Sequence, residues 1–201
     1  MHHCSIVVRS IPGSPYSSSR RHETPWLDRE TADAYDLRTW PEYCTTNKEG
    51  QVCIPAMAFK QGMSQAAFKL GEKPKGRRGA TYKGFFESGL LVDGDVAIFC
   101  DGKPLTKKDA EMVAIYANPS GQRGGSKQVL KRYPVFHKWE GTVELTVLDD
   151  ILEQAVIDAH ARALGMIVGV GRFRPEKGGT NGRFSIIKLQ WKRLELAQAA
   201  E

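Results

Sequence analysis

The amino-acid sequence predicts an α+β fold with a β-α-β-β-α-β core. Two segments, 55–71 and 149–165, repeat apolar residues at helical spacing. Residues 5–10, 143–147 and 187–191 instead show β-branched runs or strict alternation. These segments follow one another as strand, helix, strand, helix, strand, with further apolar runs between them. The chain has 201 residues, 41% of them hydrophobic, enough for one domain with a real core and large insertions.

The first strand is "SIVVRS", 5–10. A Pro-, Ser- and Arg-rich stretch, "IPGSPYSSSRRHETPW", reads as a loop. Residues 27–51 are mixed and acidic, with Trp26, Tyr35, Trp40 and Tyr43 as anchors. The first helix is "IPAMAFKQGMSQAAFKLGEK": Pro55 suits its first turn, Phe59, Met63, Ala66 and Leu70 form one stripe, and Gly71 stops it. After the basic loop "KPKGRRGATYKG", the run "FFESGLLVDGDVAIFCDGKPL" reads as a β insertion broken at Asp93-Gly94 and Asp101-Gly102. "ANPSGQRGGSK" is a second basic loop. Val143, Leu145 and Val147 face a core from a strand, and Trp139-Glu140-Gly141 turns the chain between two antiparallel strands. In the second helix Leu152, Ala155, Val156, Ala159 and Ala163 share a face, Asp149 or Asp150 caps the start and Gly165 the end. The last strand alternates Ile187, Leu189 and Trp191 with Lys188, Gln190 and Lys192. The whole reads as a single domain, 1–201, of ferredoxin-like pattern, a pattern also used by RNA-recognition modules, with insertions at about 11–50 and 71–128.

Charge narrows the function. The formal net charge is +6, and it is segregated. Between Met112 and Trp139 there is no acid; between Ala159 and Leu194 Glu176 alone opposes eight bases; between Lys69 and Phe86 Glu72 alone opposes six. Three such runs point to a polyanion partner. No apolar run approaches the roughly 18 residues of a membrane helix, and the N-terminal apolar run is too short for a secretory leader. A soluble, cytoplasmic protein is expected, with no membrane partner. Cys4, Cys44, Cys53 and Cys100 lack the close spacing of a zinc site, so reduced thiols and no metal or other cofactor are expected.

The stretch "GMIVGVGRFRPEKGGTNGRF", 165–184, tests several chemistries. A phosphate-binding P-loop needs GxxxxGK[ST] opening a helix, and here Thr180 and Asn181 follow Gly179 and a strand comes next. A dinucleotide fingerprint needs a third glycine where Arg174 stands. What remains is a loop in which Gly169 and Gly171 allow close backbone approach while Arg172, Arg174, Lys177 and Arg183 supply phosphate contacts. A plain connection with surface arginines is the alternative. Phe173, between two arginines, suits base stacking. His22 in "SSRRHET" is a conceivable general base, and Asp28, Asp33 and Asp36 a conceivable metal or scission cluster, but a loop histidine and an acidic loop are the commoner meanings. No catalytic residue is assigned.

Two motifs resemble a known superfamily. "VCIPAMAFKQGMSQAAFKL" is similar to the "IPGSSLKGxLR" segment of the RAMP proteins of CRISPR systems, and "GVGRFRPEKGGTNGRFSII" to their C-terminal glycine-rich loop. In particular, the chain resembles the crRNA-binding backbone subunits of Cascade-like and type III effector complexes. Departures are Ala56, Met57 and Ala58 where small residues are expected after the Pro, Phe59 before Lys60, Gln65 nearest the place of a helix Arg, and Pro175 in a longer loop. The resemblance implies an RRM-like fold that tracks the backbone of a single strand and assembles head to tail. It carries Lys60 over as a backbone contact, with Arg172, Arg174 and Arg183. A cutting acid in the loop before the helix motif would fall near Asp33 or Asp36.

The expected function is non-catalytic binding of single-stranded RNA or DNA through Lys60, Lys75, Arg77, Arg78, Arg123, Lys131, Arg132, Gly169, Gly171, Arg172, Phe173, Arg174, Lys177 and Arg183. Self-association along the strand into an oligomer or filament accompanies it. The alternatives are a RAMP-type endoribonuclease, and a protein-interaction role as a CRISPR effector subunit or as a phage or mobile-element modulator.

Overall fold

The computed structural model describes residues 1–77, 79–117 and 128–194. Its first strand, β1 (His2–Ser10), is longer than "SIVVRS" and buries Cys4, Ile6 and Val8 on one face. A short β2 (Tyr16–Ser17) follows. The mixed acidic segment holds a helix, α1 (Ala32–Thr39), whose N-cap Thr31 accepts a hydrogen bond from Ala34 N. Next come β3 (Cys53–Ile54) and α2 (Ala56–Leu70). Pro55 sits at the N-cap of α2, one residue before the first turn, and Gly71 closes the helix in the left-handed region at φ 65°. Phe59, Met63 and Ala66 are buried as their spacing predicts, but Leu70 is exposed.

The run read as a β insertion begins instead with a helix, α3 (Tyr82–Gly89), which buries Phe86. Then come β4 (Leu90–Val92), β5 (Val96–Ala97), β6 (Phe99–Cys100), β7 (Lys103–Pro104) and β8 (Glu111–Ala117). β4 is no part of an insertion: it pairs with β10 (Glu140–Val147), Val92 opposite Leu145. Between them in sequence lies β9 (Val129–Phe136). β9 and β10 are not partners across a turn at Trp139; they belong to different sheets, and Trp139 is buried between the layers.

The second helix of the core is α4 (Gln154–Ala163). Its N-cap is Glu153, which makes no side-chain cap; Asp149 accepts from Ile151 N a turn earlier. The buried face is Ile157, His160 and Ala161, with Ala155 and Ala159 exposed. Gly165 does not end the helix. It lies inside a π-turn, Leu164–Val168, which ends at Gly169, φ 72°. A Cβ at Gly165 would collide with the Phe184 carbonyl, so only glycine lets the π-turn cross the last strand, β11 (Phe184–Arg193).

The core sheet runs β11-β1-β10-β4, all antiparallel, with α2 and α4 on one face. This is the order that a β-α-β-β-α-β chain takes in a ferredoxin-like fold, so the predicted α+β class is observed. Phe59, Met63, Ile157 and Leu164 pack on Ile6, Val8, Val143 and Leu145. β11 carries a bulge: Val7 faces Lys188 and Val8 faces Ile186, so Ile187 is the extra residue and stays exposed. That is why Ile187 leaves the alternation expected of it. β6 also pairs with β10 and β7 with β6, making six strands in the core sheet; a second sheet, β2-β9-β8, and the pair β3-β5 complete the architecture.

Candidate nucleic-acid interface

RNA-recognition sheets stack bases on aromatic residues of their open face. β1, β10 and β11 put no Phe, Tyr or Trp on that face. They present His3, Ser5, Val7 and Arg9 beside Glu140, Thr142, Glu144 and Thr146. Arg9 there pairs with Glu140 at 3.0 Å and His3 with Glu144 at 3.1 Å, while Lys188 and Lys192 of β11 stay exposed on the same face.

The other face of the fold holds a groove of about 800 Å³. One wall is the N-terminal two thirds of α2, with Met57, Lys60, Gln61, Ser64 and Gln65. The facing wall is the glycine loop from Val168 to Lys177, and Tyr16 to Arg20 close one side. The two sequence motifs, about a hundred residues apart, thus face each other across one groove. Backbone hydrogen bonds fix the loop: Arg172 N donates to Ser17 O at 2.8 Å, Gly182 N to Pro15 O at 2.8 Å and Val170 N to Gly182 O at 3.0 Å. Gly171, at φ 77°, lies so close to the Tyr16 ring that an added Cβ would stand 2.7 Å from it. Substitution there would push the loop off the groove wall.

The groove brings together Lys60, Gly169, Gly171, Arg174 and Lys177 of the predicted set, and adds Arg20. Four cations line it against two carboxylates, Glu87 and Glu176. Lys60 Nζ donates to Phe86 O at 2.9 Å and also to Leu90 O, so it ties α2 to the C-terminal end of α3 at the groove edge. Burial lowers its pKa. Arg174 Nε donates to Glu176 at 2.7 Å and Lys177 lies 3.5 Å from the same carboxylate. Burial alone would raise the Glu176 carboxyl, but the Arg174 hydrogen bond and the charges of Arg174 and Lys177 outweigh it and leave the group below its ordinary range.

Other predicted residues stand elsewhere. Arg183 donates to Met166 O at 3.0 Å and Thr180 O at 3.3 Å, closing the loop on itself. The Arg172 guanidinium lies 3.6 Å from the Tyr133 ring centre and 4.6 Å from that of Phe173, a cation–π clamp. Arg132 is buried and braces α1, 2.8 Å from Asp33 and 3.6 Å from Asp36. Lys131 pairs with Asp36 at 3.3 Å. Asp36, 1% exposed, also accepts from Arg132 N at 2.8 Å. The acidic cluster is therefore divided: Asp33 and Asp36 hold α1 to β9, while Asp28 is exposed. Lys75 and Arg77 are exposed on the loop after α2, Arg77 over the Phe85 ring at 5.3 Å, away from the groove lining. Arg78, Arg123 and the loop "ANPSGQRGGSK" from Asn118 onward lie outside the described residues.

Arg20, Ser18 and Ser19 escaped the sequence reading because a loop has no period. The available signal was "SSSRR", small donors beside two cations. His22 contacts Thr24 Oγ1 at 3.0 Å and stacks on Tyr35.

No family model and no curated protein matches the chain. Among solved structures, it is similar to a chain of the type III-B Cmr-beta complex bound to cognate target RNA, with 11% identity and a TM-score of 0.49, over 94% of this chain and 60% of that one. It is also similar to a chain of a CRISPR RNA-guided surveillance complex, with 10% identity and a TM-score of 0.38, over 88% of this chain and 65% of that one. The chain spans less than two thirds of either. Among the described residues, no helix is long and apolar enough to cross a membrane.

Proposed function

We propose that the chain binds single-stranded nucleic acid, RNA or DNA, by its phosphate backbone, in the groove between α2 and the glycine loop. The observation that carries the reading is the meeting of the helix motif and the glycine loop across one cation-rich cleft. Glycine backbone and Arg or Lys side chains suit phosphate, whose position they fix without reading sequence. The open sheet face, with its acids paired and no large ring on β1, β10 or β11, suits a stacked strand less well.

The reading is non-catalytic. Asp33 and Asp36, where a cutting acid would fall by resemblance, are held by Arg132 and Lys131. Assembly of several copies along one strand, and association with CRISPR effector proteins, extend the proposal. Fluorescence anisotropy with labelled single-stranded RNA and DNA of mixed sequence tests it. Binding to at least one at low salt, weakening as salt rises, is expected. No binding to either at low salt, or cleavage of the RNA that stops on changing Asp33 or Asp36, would refute it.

A further inference from the structure

Beside the groove runs a file of rings that backbone binding does not use. Trp26 stacks on Tyr35 with centroids 4.2 Å apart and 9° between planes. His22 bridges Tyr35, at 6.1 Å, and Tyr43, at 4.9 Å. Tyr43 lies 5.6 Å from Tyr133, and Tyr133 6.1 Å from Phe173. The file touches the groove wall: Ser18 Oγ and Arg20 N both donate to Tyr43 O, at 2.7 and 2.8 Å. Phe173 adjoins Arg174 of the groove itself.

The inner rings are covered by their neighbours, and the ends are open. Trp26 is 56% exposed although one face rests on Tyr35, so its outer face meets solvent. Phe173 is 38% exposed. It also holds φ 56°, a left-handed conformation that a bulky residue adopts only under constraint. That constraint comes from Asn181 N, which donates to Phe173 O at 3.0 Å, and from Gly179, where any Cβ would strike that same carbonyl. The loop tolerates a strained phenylalanine where glycine would relax it. Cations accompany the file at both ends, Arg38 over Tyr35 at 5.6 Å and Arg172 over Tyr133 and Phe173.

We propose that this file is a base-stacking platform: a strand whose phosphates lie in the groove lays unpaired bases on the exposed rings of Phe173 and Trp26. The inference rests on the groove reading and adds to it a share of affinity owed to bases. Every base has a π-face, so the platform favours no sequence.

The test compares an oligothymidylate with an abasic oligomer of equal length, each at fixed low salt, with an oligouridylate in a parallel arm. The native protein is expected to bind the base-bearing strand about tenfold more tightly for each ring engaged. Phe173→Leu and Trp26→Leu should each lose about that factor toward the base-bearing strand and nothing toward the abasic one. In the native protein, tryptophan emission should be quenched by the base-bearing strand alone, and Trp26→Leu should abolish the quenching. Equal affinity for both strands would overturn the platform and leave the groove standing. So would variants that weaken both strands alike with unchanged melting temperature. Failure of either strand to bind removes the groove reading and the platform with it.

Discussion

Where the strand lies can be decided by counting counterions. Arg20 and Lys177 are exposed cations of the groove lining, which also holds Arg174 and Lys60. Each cation that neutralises a phosphate of a single strand steepens the plot of log K against log salt by about 0.7. Four contacts give a slope near −2.8, a loss of about 50-fold between roughly 50 and 200 mM salt. The double variant Arg20→Ala, Lys177→Ala should fall to a slope near −1.4 and lose only about sevenfold over the same range. Lys188→Ala with Lys192→Ala, two exposed lysines on the open sheet face, removes the same charge from the other side of the sheet and should leave the slope unchanged. Anisotropy titrations at four salt concentrations suffice. If the groove pair keeps the native slope while the sheet pair flattens it, the strand lies on the sheet and the reasoning fails.

Glu176 competes with phosphate for Arg174 and Lys177, so Glu176→Gln should tighten binding several-fold at low salt; weaker binding would show that the carboxylate positions the cations. Asp36→Ala leaves Arg132 buried with only Asp33, at the protein surface, to answer its charge, and should destabilise the fold by about 3 kcal/mol in urea unfolding. A change below about 1 kcal/mol would remove that pair from the forces holding α1. Glu30 has its pKa lowered from 4.5 to about 2, chiefly by the hydrogen bond from Arg38, next to the Trp26–Tyr35 stack. A carboxyl lowered in the folded state contributes stability that is complete above its unfolded value and is lost as pH falls through the folded one. Tryptophan emission should therefore change between pH 4.5 and about 2 in the native protein. The change should flatten in Glu30→Gln; identical titrations would disprove the coupling.

The periodic parts of the fold were legible. Phe59, Met63 and Ala66 mark one helix face, and Val143, Leu145 and Val147 one strand face, because burial imposes those spacings. Residues 82–89 misled because Phe85 and Phe86 are strand formers by propensity, while packing on α2 decides the outcome. α4 misled for another reason: its buried face includes His160, a polar residue whose Nδ1 bonds to Val156 O, so an apolar count chose the wrong stripe. In the site, glycines and arginines were visible as residues but not as roles. Nothing local tells Arg132, buried against acids that lie a hundred positions earlier, from Lys177, open to solvent. The ring file was legible only as scattered aromatics, since its members come from four separate segments.

The glycine loop is bracketed by two surplus residues, one in the π-turn before it and one at the Ile187 bulge after it. Deleting one residue from the π-turn would restore an α-helix and swing the outgoing chain by about 100°, since a helix turns once in 3.6 residues. Deleting Ile187 would make the pairs Val8–Ile186 and Val7–Lys188 consecutive, so the flanking residues would keep their faces while the strand lost the local bend and twist of the bulge. The loop's aim at the groove is thus written in residue number as well as in the glycines that let it pass. Substitutions of the loop's cations can tune its grip; a single-residue deletion in the π-turn would point it somewhere else.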